Sequence, residues 1–193
     1  VRHGFRDVVL VEEGDPLSLT SDKSSECYRN WWPGPGTTMV DFSNRSIDLL
    51  EELSLASDER FNMSRRGYAF ASADERSIET FRERAATAAM LGSGEAREHH
   101  GNADDPPYVP HNARGWQGMP TGTDLLLDQA LIQSHFPDLH PNTKAVLHVR
   151  RCGWISAHQL GTYFLEQARE HGATILRAKA SAIGQADGQV KSV

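Results

Sequence analysis

The chain has 193 residues, 38% hydrophobic and 24% charged, which is enough for one substantial domain or parts of two. Its net charge of −6 argues against a nucleic-acid partner, since such binding rests on clustered Lys and Arg. No apolar run approaches the roughly 20 residues that span a bilayer, and having only two cysteines, Cys27 and Cys152, argues against a disulfide framework and favours a reducing, cytoplasmic setting.

The elements follow in chain order. Val1-Arg2-His3-Gly4 reads as the last turn of a helix closed by a C′ glycine. Asp7 to Glu13 is a short continuous apolar run closed by acids, the pattern of a buried parallel strand, and Gly14-Asp15-Pro16 ends it. Val8 to Val11 is too short for the apolar core of a signal peptide. Ser18 to Ser25 is rich in Ser and Thr without periodicity and reads as an ordered loop. Pro33-Gly34-Pro35-Gly36 reads as a rigid turn; its prolines remove donors, and no Lys-Ser/Thr follows to make a phosphate loop.

Thr38 to about Leu55 has helical spacing, with Met39, Phe42, Ser46, Leu49 and Leu53 on the apolar face and Val40, Ile47 and Leu50 beside it. Thr38 with Asp41 resembles a capping box. Phe61 to Ser72 reads as a strand. Ser72 with Glu75 caps a helix that turns Ile78, Phe81, Ala85 and Ala88 inward and stops near Gly92. Gly92 to Gly122 is a long connection, of the kind that is functional or mobile. Thr123 is expected to cap a helix from Asp124 to His135, which Pro137 terminates, and Ala145 to Val149 is a strand. Ser156 with Gln159 opens a helix whose buried stripe is Leu160, Phe164 and Ala168, ending at Gly172. Thr174 to Ile183 alternates as a strand, and Asp187-Gly188 is a hairpin turn signal with only Gln189 to Val193 after it. With no initiator Met and both ends falling inside an element, the sequence reads as an internal fragment.

Two regions could carry chemistry. In a dinucleotide-binding βαβ unit, the strand after the glycine-rich helix ends in an acid that accepts hydrogen bonds from the adenosine ribose hydroxyls. Glu12 sits where that acid belongs, although a charged residue at a strand end is most often only solvated. The second region runs from Thr20 to Pro33. Its hydroxyls suit a pyrophosphate or ribitol chain, Arg29 suits a carboxylate, and Trp31-Trp32 suit a pocket wall. The plainer reading there is a polar loop whose aromatics plug the core edge. Cys27 beside an aromatic reads as a packed thiol. His99, His100, His111, His135, His140 and His148 lack metal-ligand spacing and read as solvated loop residues, so no metal is expected.

The strings HGFRDVVLVEEGDP, SLTSDKSSECYRNWW and SRRGYAFAS, with CGWISAHQLGTYFLEQAREHGATILRAKASAI later, resemble FAD-dependent oxidoreductases of the D-amino-acid oxidase-like family in order and separation. That family includes sarcosine oxidases, glycine oxidase and dimethylglycine dehydrogenase. Gly92 to Gly122 is covered least. The resemblance implies an α/β fold: a partial FAD-binding Rossmann-like domain with part of a sheet-containing substrate domain. It assigns residues 1–36 to the FAD-binding region, 37–150 to the substrate or cap region, and 151–193 to a return into the FAD-binding region. It further implies that Glu12 meets the adenosine ribose, that Ser21, Ser24 and Ser25 lie along the flavin side, and that the Ala180 backbone meets the adenine. Arg29 would contact a substrate carboxylate. Ala180 stands where relatives usually carry Val, a change that a backbone contact tolerates. Glu26 stands where several relatives carry a second basic or flavin-tethering residue, so no tether is assigned. The implied reaction is oxidation of a small amine or amino-acid-like substrate to an imine, with the electron acceptor open. A non-catalytic FAD-binding assembly subunit and a nicotinamide-dependent Rossmann dehydrogenase stay open as alternatives.

Overall fold

The computed structural model describes every residue except 1–3, 6 and 25. The expected helix end at Val1 to His3 therefore lies outside the described residues. The chain forms two compact units, Val1–Ser25 with Ala157–Val193, and Glu26–Ser156. The breaks thus fall at 25/26 and 156/157 instead of the expected 36/37 and 150/151. Cross-strand pairing explains the shift: β2 (Cys27–Arg29) lies antiparallel to β7 (Cys152–Trp154), and this tie draws both segments into the second unit.

In the first unit β1 (Val9–Glu12) pairs in parallel with β8 (Thr174–Arg177), Glu12 opposite Arg177. The expected parallel strand forms, but it is not buried: Val9, Leu10 and Val11 are 55%, 43% and 39% exposed. A two-stranded sheet with one neighbour per strand has too few layers to enclose its own apolar faces. Helix α1 (Thr20–Lys23) is a single turn inside the stretch expected to be loop, and it contacts α5 (Ala157–Glu170). The α5 stripe is half-covered rather than buried, with Phe164 48% exposed. Gly161 allows the close approach of Leu17 to α5; a Cβ there would meet Leu17 Cδ2 at 2.4 Å. The expected strand from Thr174 stops at Arg177. After it, β9 (Gly184–Ala186) and β10 (Gln189–Ser192) form a hairpin over Asp187-Gly188. Both turn residues have positive φ, 54° and 71°, as a two-residue type I′ turn requires.

The second unit holds a four-stranded sheet in the order β3 (Tyr68–Ser72), β6 (Ala145–Val149), β5 (Thr123–Leu126), β4 (Ala96–His99). Its pairs are antiparallel except β4 with β5. Helix α3 (Ser77–Met90) buries Ala85 and Ala88 and packs Ile78 and Phe81 against Leu125, Leu147 and Val149, as its spacing dictates. Helix α2 (Thr38–Ala56) has the expected extent but a different inward face: Val40, Ser43, Ile47 and Ser54 are buried, while Met39 and Phe42 are 45% and 68% exposed. Polar partners select that face. Asn44 accepts from the Asn30 side chain, and Arg151 bonds Asp48 and Glu51.

Other expectations shift at element ends. Thr37, not Thr38, is the N-cap of α2, and no side chain caps it. Ser72 Oγ accepts the Asp74 amide, and α3 starts later, after Arg76. The strand expected from Phe61 begins at Tyr68, though Phe61 and Met63 are buried in the segment before it. Thr123–Leu126 is a fully buried strand, not the start of a helix; α4 (Gln129–His135) is capped by Asp128, whose side chain accepts the Leu131 amide at 2.7 Å. Four residues, Thr-Asp-Leu-Leu, are too few to show a period that tells helix from strand, and pairing with β6 decides it. The connection from Gly92 to Gly122 contains β4, a polar edge strand. Among the described residues no helix is long and apolar enough to cross a membrane.

Candidate functional site

Parallel pairing brings the carboxyl ends of β1 and β8 to the same edge. Glu12 closes β1, and the ladder continues one step beyond the strand through the Ala178 amide, which donates to the Glu12 carbonyl at 3.0 Å. The Glu12 side chain turns back on its own loop, where Oε1 accepts the Gly14 amide at 2.9 Å. A cleft of about 530 Å³ opens there, lined by Glu12, Gly14, Leu17, Ser18, Thr20 and Ser21. Of the residues expected to serve a cofactor, Glu12 and Ser21 therefore share one cavity. Ser24 is exposed and extended after α1. Ser25 lies outside the described residues. Ala180 is exposed in the segment beyond β8, just after Lys179, whose ammonium pairs with Glu13 at 3.3 Å.

Arg29 belongs to the second unit, at the exposed end of β2. Its guanidinium carbon lies 4.4 Å from the centroid of the Trp32 ring, a cation–π contact. The backbone that carries it is held firmly. Asn30, 1% exposed, donates its amide to the Arg151 carbonyl and its side chain to Ser93 O at 3.1 Å, and Ser93 Oγ donates to Asn30 O at 2.9 Å. Cys27 is exposed. Cys152 is buried, and burial pushes its thiol up to about 12, so it stays protonated.

Two histidines expected in solvent are core residues instead: His99 and His148 are 2% and 1% exposed. They belong to a buried polar network around Asp124. That carboxylate accepts Arg97 Nε at 2.7 Å, Arg150 NH1 at 3.0 Å and His99 Nε2 at 2.9 Å. Burial alone would raise its pKa, but the hydrogen bonds from Arg97 and His99, with the charges of Arg97 and Arg150, outweigh this and hold it below the usual carboxylate range. His148 Nε2 donates to the Arg66 carbonyl at 2.8 Å, so Nδ1 is the acceptor for Tyr108 Oη at 2.9 Å and Arg150 NH1 at 3.0 Å. Burial and the Arg150 charge press the His148 pKa down to about 4.

The same network straps the long connection down, since Arg150 NH2 donates to Val109 O at 2.7 Å and Arg97 NH2 to Thr121 O at 2.8 Å. The sequence carried a signal for this network: a carboxylate in TDLL, and His and Arg within AVLHVRR, are polar residues set into apolar strands. Among the described residues no cluster of three His, Cys, Asp or Glu side chains could hold a metal ion.

The sequence model of the FAD dependent oxidoreductase family, DAO, matches residues 1–193. No curated protein sequence matches the chain. Among solved structures the chain is similar to glycine oxidase from Bacillus cereus, with TM-score 0.69 and 14% identity over 95% of this chain and 44% of that one. It is also similar to L-proline dehydrogenase from P. horikoshii, with TM-score 0.67 and 15% identity over 96% and 48% of the two chains. A third similar structure is FAD-bound L-alpha-glycerophosphate oxidase from Mycoplasma pneumoniae, with TM-score 0.66 and 15% identity over 95% and 42%. At these identities the likeness is one of fold, and the chain spans less than half the length of each structure.

Proposed function

The chain belongs to the family of FAD-dependent oxidoreductases, and on that premise we propose that it serves the oxidation of a small amine or amino-acid-like substrate. One observation carries the reading most: a carboxylate at the carboxyl end of a parallel strand opens into a cleft, the place where open α/β sheets bind nucleotide cofactors. The residues suit the adenosine end of FAD. Gly14 orients the Glu12 carboxylate through Oε1, and among the described residues Oε2 accepts no hydrogen bond, which leaves it for a ribose hydroxyl. Ser21 lines the same cleft, and Ser24 and Ser25 would serve the flavin side of the cofactor. The Ala180 backbone, beyond the end of the neighbouring strand, would meet the adenine.

When bound, the flavin supplies the two-electron oxidation, and the substrate leaves as an imine that water hydrolyses. The chain's own part is binding and orientation. Arg29 would hold a substrate carboxylate; its backbone is fixed through Asn30 and its side chain rests on Trp32, so little freedom is lost on binding.

The test uses the full-length flavoprotein. Glu12→Gln is expected to weaken FAD binding about tenfold, read by flavin fluorescence titration. Arg29→Ala is expected to lower kcat/KM for a carboxylate-bearing amine by about 100-fold while sparing its decarboxylated analogue. Anaerobic bleaching of the flavin by amines supports the reading. Bleaching only by hydroxy substrates, or equal losses for both analogues, would overturn it.

A further inference from the structure

A cavity in the second unit takes no part in the cleft above. It encloses about 690 Å³ between the segment Asn62–Arg66, the strapped residues Ala113–Gly115 and the ring of Trp154. Its walls are fixed to one another by backbone bonds. The Ser64 amide donates to Trp154 O at 2.9 Å, the Trp154 amide donates to Ser64 O at 3.2 Å, and the Arg65 amide donates to Gly115 O at 3.0 Å. Arg66 donates both Nε, at 3.1 Å, and NH2, at 2.5 Å, to Ala113 O, which leaves NH1 for a ligand. Gly153 is what lets the two sides come so close, since a Cβ there would meet Ser64 O at 1.7 Å.

Two features distinguish this cavity from an ordinary surface groove. The first is charge. The chain is acidic overall, yet Arg66 and Arg114 both line the cavity, against Glu59 alone. Most arginines elsewhere are paired with carboxylates, as Arg76, Arg82, Arg97, Arg150 and Arg151 are. Among the described residues Arg66 and Arg114 have no carboxylate partner. The second is backbone strain. Asp58, Glu59 and Asn62 take left-handed φ of 55°, 57° and 51° at or beside the rim. Such conformations cost free energy in non-glycine residues and collect at ligand clamps. The apolar part is supplied by Met63, 2% exposed, and by the Trp154 ring, 42% exposed.

We propose that this cavity binds a small organic carboxylate with an aromatic or aliphatic body: the guanidinium groups of Arg66 and Arg114 take the anion, and the body rests on Trp154 and Met63. Guanidinium forks match carboxylates in pairs of parallel hydrogen bonds, and a preformed wall removes much of the ordering cost of binding. None of these residues is assigned to the flavin, so the inference does not depend on that reading.

The test is calorimetric titration of the full chain with phenylacetate, with neutral phenylacetamide and with inorganic phosphate. Phenylacetate is expected to bind about tenfold or more tightly than either of the others. Arg114 is exposed, so Arg114→Gln should leave the far-UV spectrum unchanged and weaken phenylacetate about tenfold. Arg169→Gln, on exposed α5 surface, should bind as the parent does. Equal binding of the acid and the amide, an unaffected Arg114→Gln, tighter binding of phosphate, or no heat up to millimolar ligand would each overturn the proposal.

Discussion

The two units carry similar apolar patterns and treat them differently. Val9, Leu10 and Val11 in β1 and Ala145 to Val149 in β6 are both short apolar runs, yet the former are 39–55% exposed while Ala145, Val146, Leu147 and Val149 are at most 1% exposed. Every buried residue described falls within Glu26–Ser156, and none of the described residues of the other unit is buried. Strand count makes the difference. β6 has β3 and β5 on its flanks and α3 packed against the sheet, whereas β1 has β8 alone. An apolar run records a demand for burial, and only neighbours satisfy it.

This contrast can be broken or sharpened by measurement. All four tryptophans, Trp31, Trp32, Trp116 and Trp154, lie in the second unit, so their fluorescence during urea unfolding reports on that unit alone. The largest effect is expected from Asp124→Ala, which leaves Arg150 buried without its counter-charge; the loss should be about 3–5 kcal/mol. A loss below about 1 kcal/mol would mean that the network does not hold the sheet together.

Leu147→Ala in β6 should cost about 2–5 kcal/mol. Leu176→Ala in β8, where the side chain is 50% exposed, should cost about 0.5 kcal/mol or less by far-UV detection. Equal costs would erase the distinction between the units.

A separate effect, spread over a range of pH, comes from His148. His148 is neutral when folded and protonates near 4, below its ordinary 6.5. As the pH falls below 6.5 the unfolded chain takes up that proton first. The stabilisation is therefore complete above about 6.5 and is lost on the way down to about 4, on the order of 3 kcal/mol in total. His148→Gln should flatten that loss in a urea series between pH 7 and 4.5. Parallel curves for the two proteins would place the pH dependence elsewhere.

Much of the fold was legible residue by residue where a single period ran long. The nineteen residues of α2, the inward stripe of α3, the strand from Ala145 to Val149 and the Asp187-Gly188 turn all follow from spacing or from turn chemistry. Thr123–Leu126 did not, because the four residues Thr-Asp-Leu-Leu are too few to show a period and suit a buried strand and a helix start equally. Nor did β4, whose sequence Ala-Arg-Glu-His is too polar to announce a strand and is held in place by pairing with β5. For the candidate site, the acid at the end of the first strand was visible in the order of residues, while the cleft it shares with Ser21 was not.

The sequence by itself determined the family, the order of the long elements and the position of Glu12, because these depend on local composition and on spacing along the chain. Tertiary structure alone decided which face of α2 turns inward, which histidines are buried, and that Asp124 pairs with both Arg97 and Arg150. Those outcomes depend on contacts between residues far apart in the chain. A buried charge is stable only where such contacts supply its partner.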